Sequence, residues 1–322
     1  MTKPSIPGIH HITAMAGDPQ RNLDFYTVVL GLRLVKLTVN FDDPGTYHFY
    51  FGNEKGTPGS ILTFFPWPDA RRGVVGSGHV TAITFAIPTG SVAYWRSRLS
   101  AHGVGVDDTG ERFSETVLAI ADPDGLPLEL VASAHADPKS AWQDAPVDRE
   151  HAICGFHSAT LSEEGYEQTA RLLTDTMGFS LVGNQGNRFR FQTGGGGAGA
   201  MVDVLCTPAG RVGRLGTGTV HHIAWRTPDD AQQLQWRSEL ARVGYNVTPV
   251  VDRTYFHSIY YREPGGVLFE IATDPPGFAI DESPDHLGER LMLPPQYEPQ
   301  RAALQRVLPS LTLPTARSKV AR

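Results

Sequence analysis

The chain has 322 residues, of which 40% are hydrophobic and 19% charged, with a formal net charge of -6. That length supports two domains of ordinary size and a sizeable core, and the acidic balance without a Lys/Arg run argues against nucleic acid or anionic membrane as partners. The start, MTKPSIPGIHHIT, offers no apolar stretch of signal-peptide length. With Cys154 and Cys206 as the two cysteines, there is no disulfide framework, so a cytoplasmic protein with reduced thiols is expected.

In chain order, one unit recurs four times. Module 1 opens with GIHHITAMAGDPQRNLDFYTVVLGLRLV (8–35) and module 2 with GHVTAITFAIPTGSVAYWRSRLSAHGV (78–104). Module 3 opens with GFHSATLSEEGYEQTARLLTDTMGFSLV (155–182) and module 4 with VHHIAWRTPDDAQQLQWRSELARVGYNV (220–247). Each reads as a short strand, a helix, then alternating strands, so the unit is βαβββ. Helix starts are expected at Asp18-Pro19 and at Thr227, as a cap for Pro228-Asp229-Asp230, with stops near Gly31, Gly103, Gly178 and Gly244. Leu23, Tyr26 and Leu30 mark one buried stripe. The run 194–200, GGGGAGA, is expected to be a flexible hairpin tip rather than a close backbone approach.

A lone βαβββ unit has an apolar face and open edges, so units must pair. The expected fold is α+β, four modules paired into two curled mixed-sheet cups. The chain divides into an N-terminal half at 5–132 (modules 1 and 2), a linker at 133–154, a C-terminal half at 155–275 (modules 3 and 4) and an extension at 276–322. The extension is Pro-rich, with one short helical stretch from Gln300 to Leu308, and is expected to lie across the surface.

The modules can be compared with one another. Aligned on their opening strands, they place a first His in all four, and then His11, Val80, Ser158 and His222 at the second position. The closing strands align Glu270 with Glu129, and correspond to Thr63 in module 1 and Asp203 in module 3. A cup lined by modules 1 and 4 therefore offers two imidazoles and a carboxylate, a set that suits non-haem Fe(II), with Mn(II) as the near competitor. The other cup has no imidazole at those positions, and Glu129, between Leu128 and Leu130, reads as a salt-bridged relic. Any one strand His is more often a hydrogen-bonded structural residue; the repeat of the doublet, with Glu270 between Phe269 and Ile271, is what raises the three to a metal site. Strand alternation puts His11 with Thr13, and turns His10 and His221 to the opposite face unless the strand is bulged or at a rim.

The repeat with His…His…Glu resembles the vicinal oxygen chelate superfamily, and GIHHITA, GTVHHIAW and DRTYFHSIYYREPGGVLFEIATDPPGF resemble its hydroquinone-type ring-cleaving dioxygenases, over about 5–310. The resemblance implies an extradiol-type dioxygenase holding Fe(II) on His11, His222 and Glu270, with O2 as co-substrate and a 1,4-diol, substituted or halogenated, as partner. It also implies that Arg253 and Tyr260 line the substrate pocket. Tyr260 is then the candidate proton donor, and Arg253 neutralises an oxyanion unless it is spent on an ion pair with Asp252 or Glu263. His10 and His221 are candidate acid/base groups, and Thr13, Tyr255 and His257 candidate substrate contacts, with Phe256 as aromatic wall. In catechol extradiol enzymes the first ligand comes from the third module, and that slot is Ser158 here. Two competitors stand beside this reading: a glyoxalase-like isomerase or thiol transferase, disfavoured by Thr63 in the fourth-ligand slot, and a metal-free protein that sequesters an aromatic compound. Paired-cup proteins often associate, so a homo-oligomer is admitted.

Overall fold

The computed structural model describes residues 5–314. Module 1 supplies β1 (Ile9–Ala16), β2 (Arg33–Asn40), β3 (Asp43–Gly52) and β4 (Ile61–Pro66). Module 2 supplies β5 (His79–Ile87), β6 (Asp107–Arg112), β7 (Glu115–Ala121) and β8 (Pro127–Ala132). Module 3 supplies β9 (Phe156–Glu163), β10 (Ser180–Gln185), β11 (Arg188–Gln192) and β12 (Met201–Cys206). Module 4 supplies β13 (Thr219–Thr227), β14 (Val251–Asp252), β15 (Phe256–Arg262) and β16 (Leu268–Pro276).

Two eight-stranded mixed sheets result, in the orders β14-β15-β16-β13-β1-β4-β3-β2 and β10-β11-β12-β9-β5-β8-β7-β6. Modules 1 and 4 share the first sheet and modules 2 and 3 the second, so each sheet takes one module from each half of the chain. The segment 133–154 thus divides the sequence but not the sheets. The opening strands of paired modules meet antiparallel at each centre, β1 on β13 and β5 on β9, and that contact brings the two doublets together.

The helices follow the punctuation of the sequence. Helix α1 (Pro19–Asp24) is capped by Asp18, whose side chain accepts from the Arg21 backbone, and it runs on through a π-turn at Phe25–Val29. Leu23, Tyr26 and Leu30 are all buried. Modules 2 and 3 carry α2 (Val92–Ala101) and α3 (Glu167–Arg171). In module 4, α4 (Asp230–Arg242) is capped by Asp229, not by Thr227. The reason is that β13 extends through Thr227, which moves the helix start two residues on. Gly31, Gly103, Gly178 and Gly244 each follow a helix with φ between 71° and 99°, the left-handed turn-out that glycine makes at least cost. The glycine run connects β11 and β12, and it is also a close approach: Ile9 N donates to Gly199 O, and a Cβ on Gly8 would come within 2.7 Å of that oxygen.

The extension lies along the outer edge of β2, which a bare cup would leave unpaired. Leu291 bridges Leu37, Met292 N donates to Leu37 O, and Arg33 donates to the carbonyls of Pro284 and Asp285. Its helix α5 (Arg301–Val307) buries Leu304. The last residues of the expected extension, 315–322, lie outside the described residues. Among the described residues no helix is long and apolar enough to cross a membrane.

Candidate metal centre

The two central strands are irregular, and the irregularities fall at the doublets. Ile9 pairs with Trp225 and His11 with Ala224, which leaves His10 as an extra residue on β1; Thr13 pairs with His222 and Ala14 with Val220, which leaves His221 as an extra residue on β13. Each bulge abolishes strict alternation locally, so both residues of a doublet reach the same neighbourhood. His11 and His222 thereby face each other, with Nε2 atoms 3.2 Å apart. Glu270, buried on β16 beside Ala224, places Oε2 at 3.3 Å from His11 Nε2 and 2.9 Å from His222 Nε2.

These spacings fit a cation. Donors held at right angles about 2.1 Å from a shared metal ion lie roughly 3.0 Å from one another. Oε2 of Glu270 is buried and takes no hydrogen bond from the described residues, while Oε1 accepts from Ser258 Oγ. A fully buried carboxylate oxygen facing two imidazole lone pairs is costly without a proton or a metal between them. Burial raises the carboxyl, but the nearby imidazoles outweigh it and hold Glu270 well below its ordinary range, so it stands ready as an anionic ligand. His222 is lowered by burial more than Glu270 raises it, which favours the neutral imidazole a metal needs. His11, His222 and Glu270 form the one cluster of three such donors among the described residues.

The preceding histidines sit behind the ligands. His10 Nδ1 lies 2.9 Å from His11 Nδ1, and His10 Nε2 lies 3.1 Å from the carbonyl of Thr273. A carbonyl only accepts, so His10 carries its proton on Nε2 and accepts on Nδ1 from His11, leaving His11 Nε2 as a lone pair. His221 Nδ1 repeats the contact to His222 at 2.7 Å, but its ring lines the cavity. Burial, then the neighbouring His222 ring, pushes His221 down to about 3, and burial lowers His10 well below its ordinary value, so both rings are neutral.

A cavity of about 330 Å³ opens in front of His11 and His222, with Glu270 fully buried behind them. Phe41, Phe65, Trp67, Phe256 and Leu268 give it apolar walls; Thr13, His48, His221, Arg253 and Tyr260 are among its polar groups. Arg253 Nε donates to Tyr260 Oη at 3.1 Å, and Nη1 pairs with Asp42 at 3.0 Å. The ion pair is therefore with Asp42, not Asp252 or Glu263; Glu263 accepts from Thr169 and from the Gly265 and Val267 amides instead. Although burial disfavours its charge, Tyr260 and Asp42 raise Arg253 above its ordinary value. Burial, reinforced by Glu270, raises Tyr260, so the phenol keeps its proton.

Two expected substrate contacts are not in the cavity. On β15, Phe256, Ser258 and Tyr260 face the cup, so alternation turns His257 outward, where Nδ1 meets Asp230 at 2.6 Å. Tyr255 lies in the tight turn before that strand and is buried behind the wall against Tyr50 and Phe278, its hydroxyl donating to Asp281. His48 lines the cavity and went unread in the sequence. The signal was available: Tyr50 pairs with Thr63 on β3 and β4 just as Tyr260 pairs with Glu270, so His48 is the counterpart of Ser258.

The second sheet tests the internal comparison. There Ala82, not Val80, pairs with Thr160, as His222 pairs with Thr13, and the extra residue on β5 is Thr81. His79 therefore lies two residues early and is not a counterpart of the first histidines. The slip arose because the alignment matched His to His without the bulge. Glu129 is held by both Arg112 nitrogens, and Asp203 by Arg188 and Arg190. That cup is filled with ion pairs.

Known proteins resemble the chain over nearly its whole length. Over 301 residues the chain is 52% identical to "Putative ring-cleaving dioxygenase MhqO" of Bacillus subtilis (strain 168), covering 94% of this chain and 95% of that one. It is 35% identical over 309 residues to "Chlorohydroquinone/hydroquinone 1,2-dioxygenase" of Sphingobium indicum, covering 94% and 96%. A crystal structure of a "putative dioxygenase from Bacillus subtilis" superposes with a TM-score of 0.91 at 50% identity, covering 97% of this chain and 99% of that one. The family model described as Glyoxalase/Bleomycin resistance protein/Dioxygenase superfamily matches residues 8–130 and 155–271, and the chain belongs to that superfamily.

Proposed function

We propose that the protein is an Fe(II)-dependent ring-cleaving dioxygenase that opens a hydroquinone-type diol next to a hydroxylated carbon, adding both atoms of O2. The observation that carries this is the His11–His222–Glu270 triangle at the base of an aromatic-walled cavity. His11, His222 and Glu270 would hold the ion through two imidazoles and one carboxylate, a donor set suited to non-haem Fe(II). When bound, the iron supplies Lewis acidity toward a phenol and a path for electrons from ring to O2.

The chain's own residues do the rest. Phe65, Trp67 and Phe256 stack on or edge an aromatic ring and keep water from the reacting atoms. Tyr260 accepts from Arg253, so its own proton is free to be donated into the cavity. Arg253 keeps its charge near the same point and offsets a developing oxyanion. His10 and the Thr273 carbonyl hold the His11 tautomer. A four-ligand isomerase site fits less well, because the fourth slot is Thr63, whose hydroxyl is engaged by Thr13 and His48. A cytoplasmic setting accords with two free thiols.

The test is oxygen-electrode turnover of iron-loaded protein on hydroquinone, chlorohydroquinone and catechol. O2 uptake matched one-to-one by ring-opened acid from a hydroquinone supports the reading. Uptake with catechol alone, or none with any diol, rejects it.

A further inference from the structure

Thr63 occupies the place on β4 that Glu270 occupies on β16, as the shared register shows: Thr63 pairs with Thr13 and Tyr50, and Glu270 with Ala224 and Tyr260. In this half of the cup the carboxylate and its Ser258 support are replaced by a hydroxyl and an imidazole. Thr13 Oγ1 lies 2.8 Å from Thr63 Oγ1, and His48 Nε2 lies 3.0 Å from that same Thr63 oxygen. Thr13 and His48 line the cavity, with Thr63 fully buried behind them. The imidazole is held by rings on both sides, Tyr50 at 4.1 Å and Phe65 at 4.3 Å between centroids.

We propose that Thr13, Thr63 and His48 form a relay that takes a proton from the hydroxyl of the bound diol and delivers it to a separate point of the cavity wall. The proposal rests on the ring-cleavage reading above. A hydroxyl has one proton and two lone pairs, so a chain of two hydroxyls and one imidazole has two complete hydrogen-bonding arrangements of opposite direction. In the receiving arrangement Thr13 donates to Thr63, and Thr63 donates to Nε2 of a neutral His48 protonated on Nδ1. The diol O–H bond breaks as its proton passes to Thr13 Oγ1. Thr13 passes its own proton to Thr63, Thr63 passes its own to Nε2, and the imidazolium then releases the Nδ1 proton to water. Each threonine oxygen ends with one proton, as it began; His48 ends neutral with its proton on Nε2 in place of Nδ1, the released proton is taken up by water and buffer, and the diol is left as the anion. Burial, with the Arg253 guanidinium nearby, lowers His48 well below its ordinary value, so the ring is neutral before transfer and gives the proton up readily afterward. If the chain only stapled β1, β3 and β4 together, Thr63→Val would cost stability by leaving the buried Thr13 hydroxyl without its partner, and would leave proton release unchanged.

The test compares Thr63→Val, Thr63→Ser and His48→Phe with wild type, all iron-loaded. Each is mixed anaerobically with hydroquinone in weak buffer containing a pH-indicator dye, and turnover is measured separately. The relay requires prompt proton release in wild type and Thr63→Ser. In Thr63→Val, release and kcat should slow together by about tenfold or more, with iron content unchanged, and added imidazole should partly restore His48→Phe. Wild-type release and turnover in Thr63→Val would overturn the relay and leave ring cleavage standing. If wild-type protein neither releases a proton nor consumes O2 with hydroquinone or chlorohydroquinone, the ring-cleavage reading fails and the relay falls with it.

Discussion

Ser258 and His10 touch the ligands from behind, one on a carboxylate oxygen and one on an imidazole nitrogen. Groups in such positions orient a ligand, and their loss commonly lowers metal affinity by about 10–100-fold. Ser258→Ala is expected to weaken Fe(II) binding by that order, read by competition against a chelator. The two doublet histidines should separate in the same assay. His10, fixed to the Thr273 carbonyl, should cost metal affinity when changed to Ala; His221, whose ring lines the cavity, should cost kcat more than affinity. At this scale the sequence was readable where it repeated. His11 and His222 stood out because two modules carry that histidine and two do not, and Glu270 because it falls in the same cup as both. Tyr255 and His257 were misplaced because adjacency in a block says nothing about which face a residue takes. His48 lies on β3, a middle strand of its module, away from the doublets and the closing carboxylate that mark the site.

Among the elements, the extension shows a role that its composition hid. Lys36, fully buried on β2, is paired with Asp281 and Glu282, and Asp281 also receives the hydroxyl of Tyr255 from the turn before β15. The extension thus ties together the two margins of the first sheet, β2 at one end and the β14–β15 turn at the other. Removing one partner from a buried ion cluster leaves an uncompensated charge and costs about 3–5 kcal/mol. Lys36→Met should therefore lower the unfolding free energy by that amount in a urea titration, whereas Arg242→Ala, which breaks an exposed pair with Glu239, should leave it nearly unchanged. From the sequence the extension could be placed on the surface, since a Pro-rich segment with one short helix builds no core. That it closes an edge depends on which strand ends the sheet, a consequence of pairing module 1 with module 4.

For the molecule as a whole, the two sheets meet near an acidic pair that neither doublet nor repeat announced. Glu163, the last residue of β9, is buried, and it lies against the turn of Glu263-Pro264-Gly265. Burial, then the charge of Glu263, pushes Glu163 up from 4.5 to about 8. The native state holds this proton after the unfolded chain has released it. Stability from this group is thus full below pH 4.5 and is lost as pH rises toward about 8. Glu163→Gln should flatten the decline of Tm across that window; an unchanged decline would place its cause elsewhere. The four-module plan and the pairing of modules 1 and 4 were legible because histidines from distant segments had to converge. The acidic pair was not, because it depends on how two sheets abut.

The most direct measurement is anaerobic titration of metal-free protein with Fe(II), following bound iron per chain in wild type, His222→Ala and Glu270→Ala. Saturation at one iron per chain in wild type, with loss of that site in both variants, is the expected result. One tightly held iron in either variant would contradict a centre built on His11, His222 and Glu270.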